Sequence, residues 1–236
     1  MRLEPSLRPT ALPTGERGAA LALLPIAATL DYYALPRWLQ EQTLIQFAPQ
    51  LISYLACALW ASHNTGLISR FGLDAKKFVP GLRSGLLVGL GLGCLNSLMI
   101  LYVFPSFGSD ISFLKNTPHA RLPVLVMVPW FIGVIAVFVE FNFRGFLLGR
   151  LLAMGQAMMG PNRSLVVSGF AIATSALLFS FDPFMTTTFR ELHWIAVWDG
   201  VVWGACWIAT KNLYVPIVAH AAEVIIMYSA VRATLL

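Results

Sequence analysis

An all-α, polytopic membrane bundle of about seven transmembrane helices is the fold this sequence predicts, and three observations predict it. Only 11% of the 236 residues are charged, against about 25% in ordinary soluble domains. Hydrophobic residues make up 58%, too many for a water-soluble globule of this length to cover with polar surface. They are also gathered into long runs, close to the roughly 20 residues that a helix needs to cross the bilayer core. Lipid is therefore the main solvent, and no separate soluble domain fits beside so many spans.

Residues 1–17 carry Pro5, Pro9, Pro13 and Gly15 among alternating charges, without hydrophobic periodicity, and read as a disordered cytoplasmic tail. Residues 18–236 read as one transmembrane domain. The first run, 18–35, is interrupted by Asp31 and follows a polar leader too long for a signal peptide, so it is expected to stay as a helix. Further runs fall at 44–62, 84–104, 122–153, 164–181, 194–210 and 213–231. The 122–153 run would extend about 48 Å as a helix, against a core of about 30 Å, so part of it must tilt or leave the bilayer. The 84–104 run holds Gly85, Gly89, Gly91 and Gly93. Its two small-xxx-small spacings predict close helix packing rather than a substrate groove. Cys57, Cys94 and Cys206 lie in separate apolar runs without CxxC spacing, and read as packing residues rather than disulfide or zinc ligands.

The net charge of +5 does not point to nucleic acid, because the basic residues are scattered singly between apolar runs. It fits membrane topology. Arg2, Arg8 and Arg17 in the tail, and Arg70, Lys76, Lys77 and Arg83 in a loop opposed only by Asp74, place both segments in the cytoplasm. Seven crossings then put the C-terminus outside, with the Lys115, His119 and Arg121 connection as the segment that fits least well. The expectation is an integral, multi-pass protein of the bacterial cytoplasmic membrane.

Charges within apolar runs cost about 2.5–3.5 kcal/mol each at the bilayer centre and are functional candidates by default. The densest cluster is Glu140-Phe-Asn-Phe-Arg144-Gly145 through Arg150. Glu140 and Arg144, four apart, share one helix face with the acid first, and Asn142 points elsewhere. The spacing leaves two readings open: a pair that only neutralises itself, or part of a reactive site. In the last run His220 and Glu223, three apart, share a face and together can position a water or relay a proton. Asp182 and Asp199 read as isolated acids that mark a helix end or a polar contact.

The stretch from Glu140 to Arg150 resembles the first motif of the CAAX-protease and bacteriocin-processing membrane proteins, Glu-Glu-x-x-x-Arg followed by Gly. Gly200 through Gly204, and Asn212 through Pro216 to His220, resemble that family's last two helices, and the likeness covers roughly 122–231. It implies an all-helical membrane protein related to glutamic endopeptidases that cleave after a prenylated cysteine, with Glu140, Arg144 and His220 facing one cavity. The chain departs from the pattern at three positions. Val139 replaces the first glutamate, the residue usually given the water-activating role. Pro183 replaces the histidine of a Phe-x-x-x-His motif that starts at Phe179, for which His193 is a possible stand-in. Val224 replaces the asparagine that follows His220, with Glu223 beside it.

Three functions are weighed. One is a membrane-embedded endopeptidase in which Glu140, kept ionised by Arg144, deprotonates a water while His220 handles the developing charge, with contributions from His193 and Glu223. Its substrate would be a membrane-associated peptide, a C-terminal signal or a lipidated protein, with membrane lipid as the surrounding partner. No cofactor or metal is expected: Glu140, His220 and Glu223 supply three zinc ligands only if their helices meet. The alternative is a catalytically inactive relative that binds a partner or acts as a scaffold. A transporter is third, and the sequence holds no inverted repeat to favour it.

Overall fold

The computed structural model describes residues 16–235. The tail expected at 1–17 lies outside them except for Glu16 and Arg17. These two are held in place: the Arg17 amide donates to Asn64 Oδ1, and Glu16 accepts from Trp60 Nε1 and pairs with Arg70 and Arg150.

Seven long helical stretches and no strand occur among the described residues: α1 (Ala19–Ala34), α2 (Thr43–Ser62), α3 (Leu67–Ser106), α4 (Val124–Met159), α5 (Ser164–Ser180), α6 (Pro183–Thr210) and α7 (Tyr214–Leu235). Each falls on one of the apolar runs. α2, α3, α4, α6 and α7 are long and apolar enough to cross a bilayer, whereas α1 and α5 are shorter apolar helices. The protein is an integral membrane protein of polytopic helical architecture.

The glycine pattern sets the main helix contact. Gly81, Gly85, Gly89 and Gly93 form a stripe on α3, and a Cβ added at any of the four would meet atoms of Asn212 to Ile226, on or just before α7, at 2.5–2.9 Å. In lipid, where apolar side chains gain little from leaving their solvent, such backbone approach supplies the dispersion contact that holds helices together. Gly91, off the stripe, has no atom within 4 Å of that position. The cysteines divide: Cys57 is buried, but Cys206 is half-buried and Cys94 is exposed, so the packing reading holds only in part.

A clasp fixes where α7 begins. α3 breaks at Gly72, whose φ of 78° is in the left-handed region and where a Cβ would run into the Lys211 carbonyl. Around that break Leu213 N donates to Gly72 O, Lys77 Nζ donates to Lys211 O, and Asn212 Nδ2 donates to Lys77 O. Asn212 Oδ1 in turn accepts from Tyr214 N, which caps α7 in the usual way for an Asn side chain. Pro216 falls in the first turn, where its missing N–H leaves no bond unmade.

The long α4 is irregular. Val128–Ile135 and Phe141–Leu148 are widened into π-helical turns, a distortion often found at functional sites. Some carbonyls in such a turn lose their usual partner, and Phe143 O instead accepts from Ser175 Oγ of α5 at 2.9 Å. At 36 residues, α4 is about 54 Å long as a regular helix, longer than one perpendicular crossing. α6 starts at Asp182, whose side chain accepts from Phe184 N ahead of Pro183, so the reading of Asp182 as a helix-end acid holds.

Candidate active site

Glu140 and Arg144, on α4, are both fully buried. Arg144 Nη1 donates to Glu140 Oε1 at 3.1 Å, and the same oxygen accepts from His220 Nδ1 at 2.9 Å. An ionised carboxylate accepts only, so the proton belongs on Nδ1 and Nε2 is left as the basic nitrogen of the neutral ring. Trp203 stacks on the imidazole with centroids 4.6 Å apart and planes at 17°, while Phe179 meets it edge-on. The ring therefore has little freedom to turn.

The Arg144 guanidinium sits 4.8 Å from the Phe179 ring and 5.0 Å from the Trp203 ring, which stabilises a desolvated cation. Its Nε and Nη2 make no hydrogen bond. Gly200 provides the room: a Cβ there would lie 3.1 Å from Nη2 and 2.8 Å from Ala176. Gly145 has a similar cause, since a Cβ would strike the Phe71 ring. Asn142, between the two in sequence and so on another face of the helix, accepts from Ser53 on α2.

Beside this group lies a cavity of about 880 Å³, within the size range of small-molecule sites. Apolar side chains such as Phe47, Met127, Trp130 and Phe138 wall it, and His220, Glu223, Asp199 and Asp182 reach it. Trp130 and Phe138 on this wall are themselves more than half exposed, so the cavity is open rather than sealed. Glu140 and Arg144 are not on its wall; they sit behind His220. Val139 and Val224 do line it, so two of the positions that depart from the family pattern face the cavity with methyl groups.

A second polar group shares that wall. Asn96, fully buried on α3, donates through Nδ2 to Asp199 at 3.0 Å and to Glu223 at 2.7 Å, and accepts through Oδ1 from Trp198 Nε1. Of the two readings of Asp199, a helix end or a polar contact, the second holds: it lies within α6 and accepts from Asn96. Asn96 had escaped notice altogether, although it continues the Gly85, Gly89, Gly93 stripe at helical spacing and so faces α7.

Of the five residues singled out in the sequence, four come together: Glu140, Arg144 and His220 in one contact group, and Glu223 one turn beyond His220. His193 does not join them. Its Nδ1 bonds the Arg190 carbonyl and its ring packs on Phe181 and Trp194, away from the cavity wall. Among the described residues no group of three or more His, Cys, Asp or Glu side chains is arranged to hold a metal ion.

No curated protein and no solved structure matches the chain significantly. Residues 121–226, the segment that carries Glu140, Arg144, Asp199, His220 and Glu223, do match the family described as type II CAAX prenyl endopeptidase Rce1-like.

Proposed function

We propose that the chain is a CAAX-protease-like membrane endopeptidase that hydrolyses a membrane-associated peptide or lipidated C-terminus in the apolar cavity, with His220 as the group that meets the water. The observation that carries this reading is the 2.9 Å contact of His220 Nδ1 with the fully buried Glu140 carboxylate, on a ring that lines the cavity. A carboxylate behind an imidazole fixes its tautomer and stabilises the imidazolium that forms when the ring takes a proton. Glu140 therefore acts through His220 rather than on the water, and Arg144 pairs with Glu140 from the other side. The apolar wall suits a hydrocarbon chain attached to the peptide. Lipid is the surrounding partner, and orientation with the N-terminus cytoplasmic follows from the Lys/Arg bias.

The test is made in cells. Membrane peptides are mapped by mass spectrometry in cells with wild-type protein and in cells with His220→Ala at matched protein levels. Accumulation of one uncleaved membrane peptide in the variant supports the reading, and identical peptide profiles sink it. The methyl groups of Val139 and Val224 on the cavity wall favour a second reading, a non-catalytic binder. In that case the variant loses a bound partner while no cleavage product changes.

A further inference from the structure

We propose that Asp199 and Glu223, bridged by Asn96, form a proton-sharing acid pair that donates to the substrate carbonyl during cleavage. This rests on the endopeptidase reading and assigns it a second pair of catalytic residues, on α6 and α7. Four observations point to it. Both acids line the cavity that His220 lines, and Glu223 is one turn from His220 on the same face of α7. Both are buried, with Asp199 at 3% and Glu223 at 1% exposure. One amide nitrogen, Asn96 Nδ2, donates to both, at 3.0 Å and 2.7 Å, and two carboxyl groups held side by side out of water share a proton rather than ionise together. Finally, Glu223 Oε2 is buried on this wall without any donor, as an oxygen that carries the proton rather than accepts one would be.

Charge balance leads the same way. One arginine, Arg144, serves a neighbourhood that holds Glu140, Asp199 and Glu223, and three bare carboxylates around one buried cation are not sustainable at low dielectric. Asn96 uses both amide hydrogens, one on each acid, and so holds the two carboxyl groups together. It is a positioning residue.

The chemical step balances. The water oxygen bonds to the peptide carbonyl carbon while His220 Nε2 takes one water proton. The carbonyl π electrons move onto oxygen, which receives the shared proton of the pair. Collapse returns that proton to the pair, breaks the carbon–nitrogen bond, and delivers the proton on His220 to the departing nitrogen. The products are one carboxylic acid and one amine, with the pair and His220 restored.

Two readouts test it on the full-length protein in lipid vesicles, with a fluorogenic farnesylated peptide as probe. The first is the infrared carbonyl band of a protonated carboxylic acid. It is expected in the wild type, lost in the Asp199→Asn, Glu223→Gln double variant and shifted in Asn96→Ala; its absence in the wild type overturns the shared proton. The second is cleavage. Removing a donor aimed at a developing oxyanion costs about 10²–10³ in kcat, so each single variant, Asp199→Asn and Glu223→Gln, is expected to lose that much with KM little changed. Cleavage by the double variant at the wild-type rate overturns the pair and leaves His220 as the base. A wild type that cleaves nothing in vesicles and in cells overturns the endopeptidase reading and this step together.

Discussion

Replacing Arg144 by Leu removes the Nη1 donor 3.1 Å from Glu140 and the cation held between Phe179 and Trp203. Glu140, with no solvent exposure, is left with His220 alone as a donor. Breaking a buried pair from one side costs about 3–5 kcal/mol, because the surviving charge stays desolvated. Removing Glu140 alone, as Glu140→Leu, strands the guanidinium and is expected to cost a similar amount. The double variant strands neither charge of the pair and leaves only the His220 Nδ1 donor without its acceptor, so its loss is expected to fall below the sum of the two singles by roughly 3 kcal/mol or more. Equilibrium unfolding in mixed micelles measures all four proteins. If the double variant loses the sum of the singles to within about 0.5 kcal/mol, the two side chains are energetically independent and the account of Glu140 as an ion held by Arg144 is wrong.

Gly89→Val forces a side chain into the α7 backbone at Ala219 and Ala222 and is expected to cost about 1–3 kcal/mol or more, as overpacking does, while Gly91→Ala, which meets nothing within 4 Å, leaves thermal stability unchanged. His193→Ala is expected to leave cleavage at the wild-type rate, since that ring packs on Phe181 and Trp194 and not on the cavity wall; a large loss would bring His193 into the site. A cysteine placed at Lys76 in a protein freed of its own three cysteines is expected to resist an impermeant reagent added outside intact cells, and labelling from outside would invert the topology.

The helix positions were legible because hydrophobic run length is a strong signal in lipid, and the close packing of α3 because glycine at four-residue spacing has one main use there; that its partner is α7 was not. Glu140 with Arg144, and His220 with Glu223, were legible as faces of single helices. The meeting of the two faces was expected only from the family resemblance, since the spacing within each helix does not carry it and the clasp of Gly72 and Lys77 with Lys211, Asn212 and Leu213 spans distant parts of the chain. For Asp199 the choice between a helix end and a polar contact was not legible, because nothing local separates an acid that caps a helix from one that meets a distant amide such as Asn96. The widened turns of α4 carry no recognisable sequence signal. In the second of them Phe143 O accepts from Ser175 on another helix, a partner far away in the chain.

The central claim is that His220, held by Glu140, takes the proton of the attacking water. It is tested most directly by initial cleavage rates of the farnesylated peptide in vesicles for wild type, His220→Ala, His220→Gln and Glu140→Gln, each shown to be folded by its unfolding midpoint. Both His220 variants are expected to fall by about 10²–10⁴, the range of general acid–base contributions, and Glu140→Gln to fall substantially by disturbing the tautomer that its carboxylate fixes. Cleavage by folded His220→Ala at the wild-type rate contradicts the claim.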